Sequence, residues 1–66
     1  MATWKARLRP SGVETTPAPT WRKAIDAARE IADGDTHAVL MSAPNGRPFT
    51  DEWTVRLSDG AIVDDK

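Results

Sequence analysis

One segment of this chain repeats its apolar residues at helical spacing. The rest alternates with period two or is broken by proline and glycine. In "TWRKAIDAAREIAD" (20–33), Trp21, Ala24, Ile25, Ala28, Ile31 and Ala32 fall on one stripe. Arg22, Lys23, Asp26, Arg29, Glu30 and Asp33 line the opposite side. Thr20 predicts an N-cap and Gly34 the left-handed residue beyond the C-terminus. Arg22 with Asp26 and Arg29 with Asp33 have the i,i+4 spacing of weak helix ion pairs. A single amphipathic helix must bury its stripe against another layer, and the remaining residues have to supply that layer.

They read as a sheet. "TWKARLR" (3–9) places Trp4, Ala6 and Leu8 on one face and Lys5, Arg7 and Arg9 on the other. Pro10 ends that strand and Ser11-Gly12 turn the chain. Val13 to Thr16 form a short extended return, and "TPAP" (16–19) is a stiff connector to the helix. "HAVLMSA" (37–43) is apolar throughout, as a central strand would be. "PNGRP" (44–48) is turn chemistry, and Phe49 to Glu52 reads as a loop or edge segment. A strand at 53–58, a turn at Asp59-Gly60 and a brief strand at 61–63 close the chain.

The expectation is a single α+β domain over 1–66, of β-α-β-β order with a short final strand. One amphipathic helix packs on one face of a small, mostly antiparallel sheet, and the ends 1–2 and 64–66 fray. The expected core is Trp4, Leu8, Trp21, Ile25, Ala28, Ile31, Val39, Met41, Trp53, Val55, Leu57 and Ile62.

A chain of 66 residues buries only about 60% of the surface it exposes when unfolded, which leaves no room for a deep substrate cavity in one copy. With no cysteine it has no disulfide, zinc thiolate or thiol nucleophile. No segment is apolar for long enough to span a membrane or act as a signal peptide, so a cytoplasmic location is the default. Formal charge is uneven along the chain: residues 1–25 sum to +4 and residues 26–66 to −5, for a net of −1.

No catalytic or metal-binding motif stands out, and neither metal nor cofactor is expected. His37 is the single histidine and has no nucleophile or orienting group beside it in sequence. It reads as an ordinary strand-start residue. Asp51 and Glu52 point to opposite faces of an extended chain and form no acid/base dyad. "PNGRP" lacks the glycines and lysine of a phosphate loop. The three tryptophans, Trp4, Trp21 and Trp53, fall at core-facing positions.

The informative constellation is basic. Lys5, Arg7 and Arg9 share one strand face, where like charges repel. Arg56 joins them if its strand lies beside theirs, and Arg47 projects from the neighbouring 44–52 loop. Together they suit an anionic partner; alternatively they are a solvated face that deters edge aggregation. A second candidate patch is acidic: Asp51, Glu52, Asp64 and Asp65, spaced to imitate phosphates or merely serving as turn residues.

The stretch "AIDAAREIADGDTHAVLMSAPNGR" (24–47) resembles a family of small uncharacterised bacterial proteins. In these an "EA…AAReiA" helix leads to an apolar strand and a turn containing "DGR" or "NGR". The turn here is "PNGR", and that family's two N-terminal strands have no counterpart. The whole layout resembles small phage anti-CRISPR proteins of the β-α-β-β type. Their closing "W…DG…VD" hairpin corresponds to "WTVRLSDGAIVDD" (53–65). That resemblance implies a non-enzymatic inhibitor from a phage or other mobile element. Such a protein binds a host protein or ribonucleoprotein, the CRISPR effector complex, and blocks its nucleic-acid groove with basic residues or by acidic mimicry. Direct nucleic-acid binding and a structural role are the alternatives, with the chain a monomer or a homodimer.

Overall fold

A computed structural model describes residues 2–44 and 46–64 of the chain. The expected turn centre at Asn45 and the tail residues Asp65 and Lys66 lie outside the described residues. The elements run β1 (Thr3–Arg9), α1 (Trp21–Ile31), β2 (His37–Ala43), β3 (Thr50–Arg56) and β4 (Ile62–Asp64). The sheet has four strands in the order β1-β2-β3-β4, with every neighbouring pair antiparallel. The helix packs on one of its faces, so the fold is the α+β arrangement the stripes require.

Alternation in β1 sets the layers. Trp4, Ala6 and Leu8 turn toward the helix, opposite Ser42, Leu40 and Ala38. Ala24, Ile25 and Ala28 come down from α1 onto Ala6, Leu8, Ala38, Leu40, Val55 and Leu57. Burying a leucine fully contributes about 1.5–3 kcal/mol, and Leu8 and Leu40 are the largest of the fully buried side chains together with Val55. Thr20 caps the helix as expected, its Oγ1 accepting from Lys23 N at 3.2 Å. Residues 11–18 double back along β1: Trp4 and Ala18 exchange backbone hydrogen bonds, and Thr15 N donates to Ala6 O. The free side of β1 is therefore covered.

Several expectations change. Val39 and Met41 are buried, at 3% and 2% exposure, but on the face away from the helix. Because β2 is apolar at nearly every position, its own sequence cannot say which parity faces inward. Pairing with β1 decides it in favour of Ala38 and Leu40. Trp21, Ile31 and Ile62, expected in the core, are 42%, 46% and 57% exposed. Trp21 and Ile31 lie at the ends of the stripe, beyond the sheet below, and Ile62 lies on the far strand. β3 begins at Thr50 and ends at Arg56, not 53–58, and β4 reaches Asp64, a residue expected to fray. A bulge opposite Leu40/Met41 lets Thr50–Glu52 join the ladder.

The helix ion pairs do not form among the described residues. Arg22 lies over the Trp21 ring, 5.6 Å from its centroid. Arg29 instead spans to the β3–β4 turn, its Nε donating to Leu57 O at 3.0 Å.

Candidate interaction surface

Among the described residues no further helix or strand packs on the sheet face away from the helix. β1 places Lys5, Arg7 and Arg9 there, β2 contributes His37, Val39 and Met41, and β3 contributes Thr54 and Arg56. The strand carrying Arg56 is not beside β1, since β2 lies between. Arg56 nevertheless shares the face: Arg9 pairs with His37 and His37 with Arg56, forming one row across three strands. Strand spacing puts the two arginine backbones about 10 Å apart.

The basic strand is less bare than its sequence suggests. Glu14, on the returning segment, bridges to Arg7 and accepts from Lys5 Nζ at 2.8 Å and Arg7 Nε at 3.3 Å. These hydrogen bonds hold the Glu14 carboxyl below its usual range, that from Lys5 most strongly and that from Arg7 next. Lys5 Nζ also sits 4.5 Å from the centroid of the Phe49 ring, a cation–π distance. Arg7 Nη2 approaches Met41 Sδ at 3.4 Å. Val39 and Met41 therefore stay dry on an open face, since long basic side chains lie across them.

Arg56 is paired as well. Its Nε and Nη2 donate to the two Asp59 oxygens at 3.1 and 2.8 Å. That fork, helped by the Ala61 amide, pushes the Asp59 carboxyl down to about 2 and raises Arg56. Arg9 is exposed and makes no side-chain hydrogen bond or ion pair among the described residues. Asp59 offsets Arg56 and the single Glu14 offsets only one of Lys5 and Arg7, so Arg9 is the cation of this face with no ionic partner among the described residues. The His37 ring is oriented from behind, with Nδ1 2.8 Å from Thr36 Oγ1.

Arg47 is exposed in the 44–49 turn, outside the row. Of the acidic candidates, Asp51 and Glu52 have described side chains, and they are differently engaged. Glu52 accepts from Ser42 Oγ at 2.7 Å and from Thr50 Oγ1, while Asp51 is exposed opposite Met41. Asp64 pairs with Thr54 in β4, and Asp65 lies outside the described residues. Among the described residues no group of His, Asp and Glu is placed to hold a metal ion, and no helix is long and apolar enough to cross a membrane.

Glu14, Phe49 and His37 are the members of this surface that sequence reading did not place there. Glu14 could have been found from parity: a tight return after Pro10-Ser11-Gly12 brings it level with Arg7. No protein-family model matches the chain, and no curated protein or solved structure matches it either.

Proposed function

We propose that this chain is a non-catalytic binding module that docks its uncovered sheet face on an anionic surface of a protein or ribonucleoprotein. One observation carries the reading: the Arg9–His37–Arg56 row crosses three strands of a face on which, among the described residues, no further helix or strand packs. Around it, Lys5 and Arg7 are tied to Glu14, and Lys5 also lies over Phe49, which leaves a net positive surface with Arg9 unpaired among the described residues at one end. Complementary charge raises association rate and selects the partner. The resemblance to β-α-β-β phage inhibitors supports a host CRISPR effector as that partner, with the small domain blocking its nucleic-acid groove.

The test uses Arg9→Glu, which reverses the unpaired charge and touches no buried contact. The partner is captured from host lysate on immobilised protein, then identified and titrated. Arg9→Glu is expected to weaken its affinity by about tenfold or more, about 1.4 kcal/mol. Equal affinity of variant and wild type rejects the surface. A shift of arbitrary DNA or RNA at low salt, collapsing steeply as salt rises, would move the reading to direct nucleic-acid binding.

A further inference from the structure

At the end of the sheet where β2 starts and β3 finishes, a cavity of about 480 Å³ opens between the helix layer and the outer face. Its floor is apolar, made by Ala32 just past α1 and by the buried Leu57. Its rim is cationic, with Arg29 on the helix side and Arg56 on the sheet side, and His37 and Ser58 adding polar groups. The size falls within the range of small-molecule sites, about 300–1,000 Å³.

The donors of the rim are only partly engaged. Arg56 gives Nε and one Nη2 hydrogen to Asp59, and Arg29 gives Nε to Leu57 O. The remaining guanidinium N–H groups of both have no acceptor among the described residues, and their planar fork suits an oxyanion such as a carboxylate or phosphate. Asp35 is the one acid in the lining, and its carboxylate is turned to the loop, accepting from Ser11 N at 2.9 Å and Asp33 N at 3.4 Å. Both arginines are held in place: Arg56 by its fork to Asp59, Arg29 by its bond to Leu57 O. Little side-chain entropy is lost when such groups meet an anion.

We propose that this corner cavity binds a small-molecule oxyanion with an apolar body, the body on Ala32 and Leu57 and the oxyanion between Arg29 and Arg56. The cavity shares His37 and Arg56 with the docking row, but its ligand enters from the helix side and Arg9 takes no part, so Arg9→Glu and the phenyl phosphate titration let either fail alone. The probe is phenyl phosphate, followed by amide NMR of the whole chain, with inorganic phosphate and benzyl alcohol as the two half-ligands. Saturable shifts confined to Thr36, His37, Leu57 and Ser58 are expected, with a Kd of about 1 mM or tighter and each half-ligand at least about tenfold weaker. Arg56→Gln, which removes the charge, and Ala32→Phe, which fills the floor, should each weaken binding by a similar factor. Should Ala32→Phe disturb the fold, Arg56→Gln still decides. Absence of saturable shifts, shifts centred on Lys5 and Arg7, equal binding of inorganic phosphate, or indifference to Arg56→Gln would each overturn the site.

Discussion

The two halves of the sheet are held by different means. Over β1 and β2 the helix backbone lies close, and Ala6, Leu8, Ala38 and Leu40 are completely buried. The 11–18 return closes the outer side of β1. The helix backbone does not come over β3 and β4. There Val55 is completely buried but Ile62 and Val63 are exposed, and polar groups brace the turn between the strands: Arg29 donates to Leu57 O, Arg56 to Asp59, and Ala61 N to Asp59. Apolar burial is worth more than exposed polar contacts in so small a domain. The first half, with Val55 beside it, therefore carries most of the burial, and the far edge leaves Arg56 available to the surface row and the cavity.

The largest effect that could break this comparison is a core truncation. Leu40→Ala should cost about 2–5 kcal/mol, comparable with the whole stability of a domain of this size, and should leave much of the chain unfolded. Ile62→Ala on the other half should cost less than about 1 kcal/mol. Urea titration followed by tryptophan fluorescence measures both. A loss at Ile62 equal to that at Leu40 would show that β4 is as firmly held as β2.

The sequence foretold the first half better than the second, for a physical reason. Alternation in β1 and the stripe of α1 each carry one clear period, so Leu8, Ile25 and Ala28 were legible as core. In β2 the period is erased because both faces are apolar, so Val39 and Met41 were expected on the wrong side. In β3 a bulge shifts the ladder, and no residue type between Thr50 and Glu52 announces it. The cations of the surface were legible individually. Their partners were not, because Glu14, Phe49 and Asp59 reach them through pairings that local spacing does not encode, apart from the Arg56–Asp59 turn itself. The link from α1 to the far half was missed as well, since Arg29 looked equally suited to Asp33.

That link sharpens the comparison at intermediate size. Gly60 has φ +74°, and a Cβ there would stand 3.2 Å from Arg29 Nη2. Gly60→Ala should cost about 1–2 kcal/mol through the left-handed backbone, and would also push Arg29 away. Arg29→Met keeps the aliphatic stem but loses the bond to Leu57 O, at a cost of about 1 kcal/mol. Because both changes disturb one contact, the double variant should cost less than the sum of the two. Full additivity in urea unfolding would mean that Arg29 does not connect helix and turn.

The smallest effect separates the halves by acid. Asp59 titrates at about 2 when folded, below its ordinary 3.8, because the Arg56 fork and the Ala61 amide favour its charged form. Its contribution is therefore present above about pH 4 and is lost as pH falls through about 2. Glu14 is lowered in the same sense by Lys5 and Arg7, so acid also removes its ties to those two side chains. Amide NMR distinguishes the two: Gly60 and Ala61 should move with Asp59, and Val13 and Thr15 with Glu14. Asp59→Asn should abolish the first set of shifts and leave the second. The 11–18 segment is also held by backbone bonds from Leu8, Thr15 and Trp4, so it should stay in place after Glu14 is protonated. The β3–β4 turn has backbone bonds of its own, from Arg56 N to Ala61 O and from Gly60 N to Arg56 O. But it also relies on Asp59 for Arg56 and Ala61 and lies beside the exposed Ile62, so it should become mobile first. If the 11–18 return opens before that turn, polar contacts rather than backbone pairing and burial hold the β1 half, and the division drawn between the two halves fails.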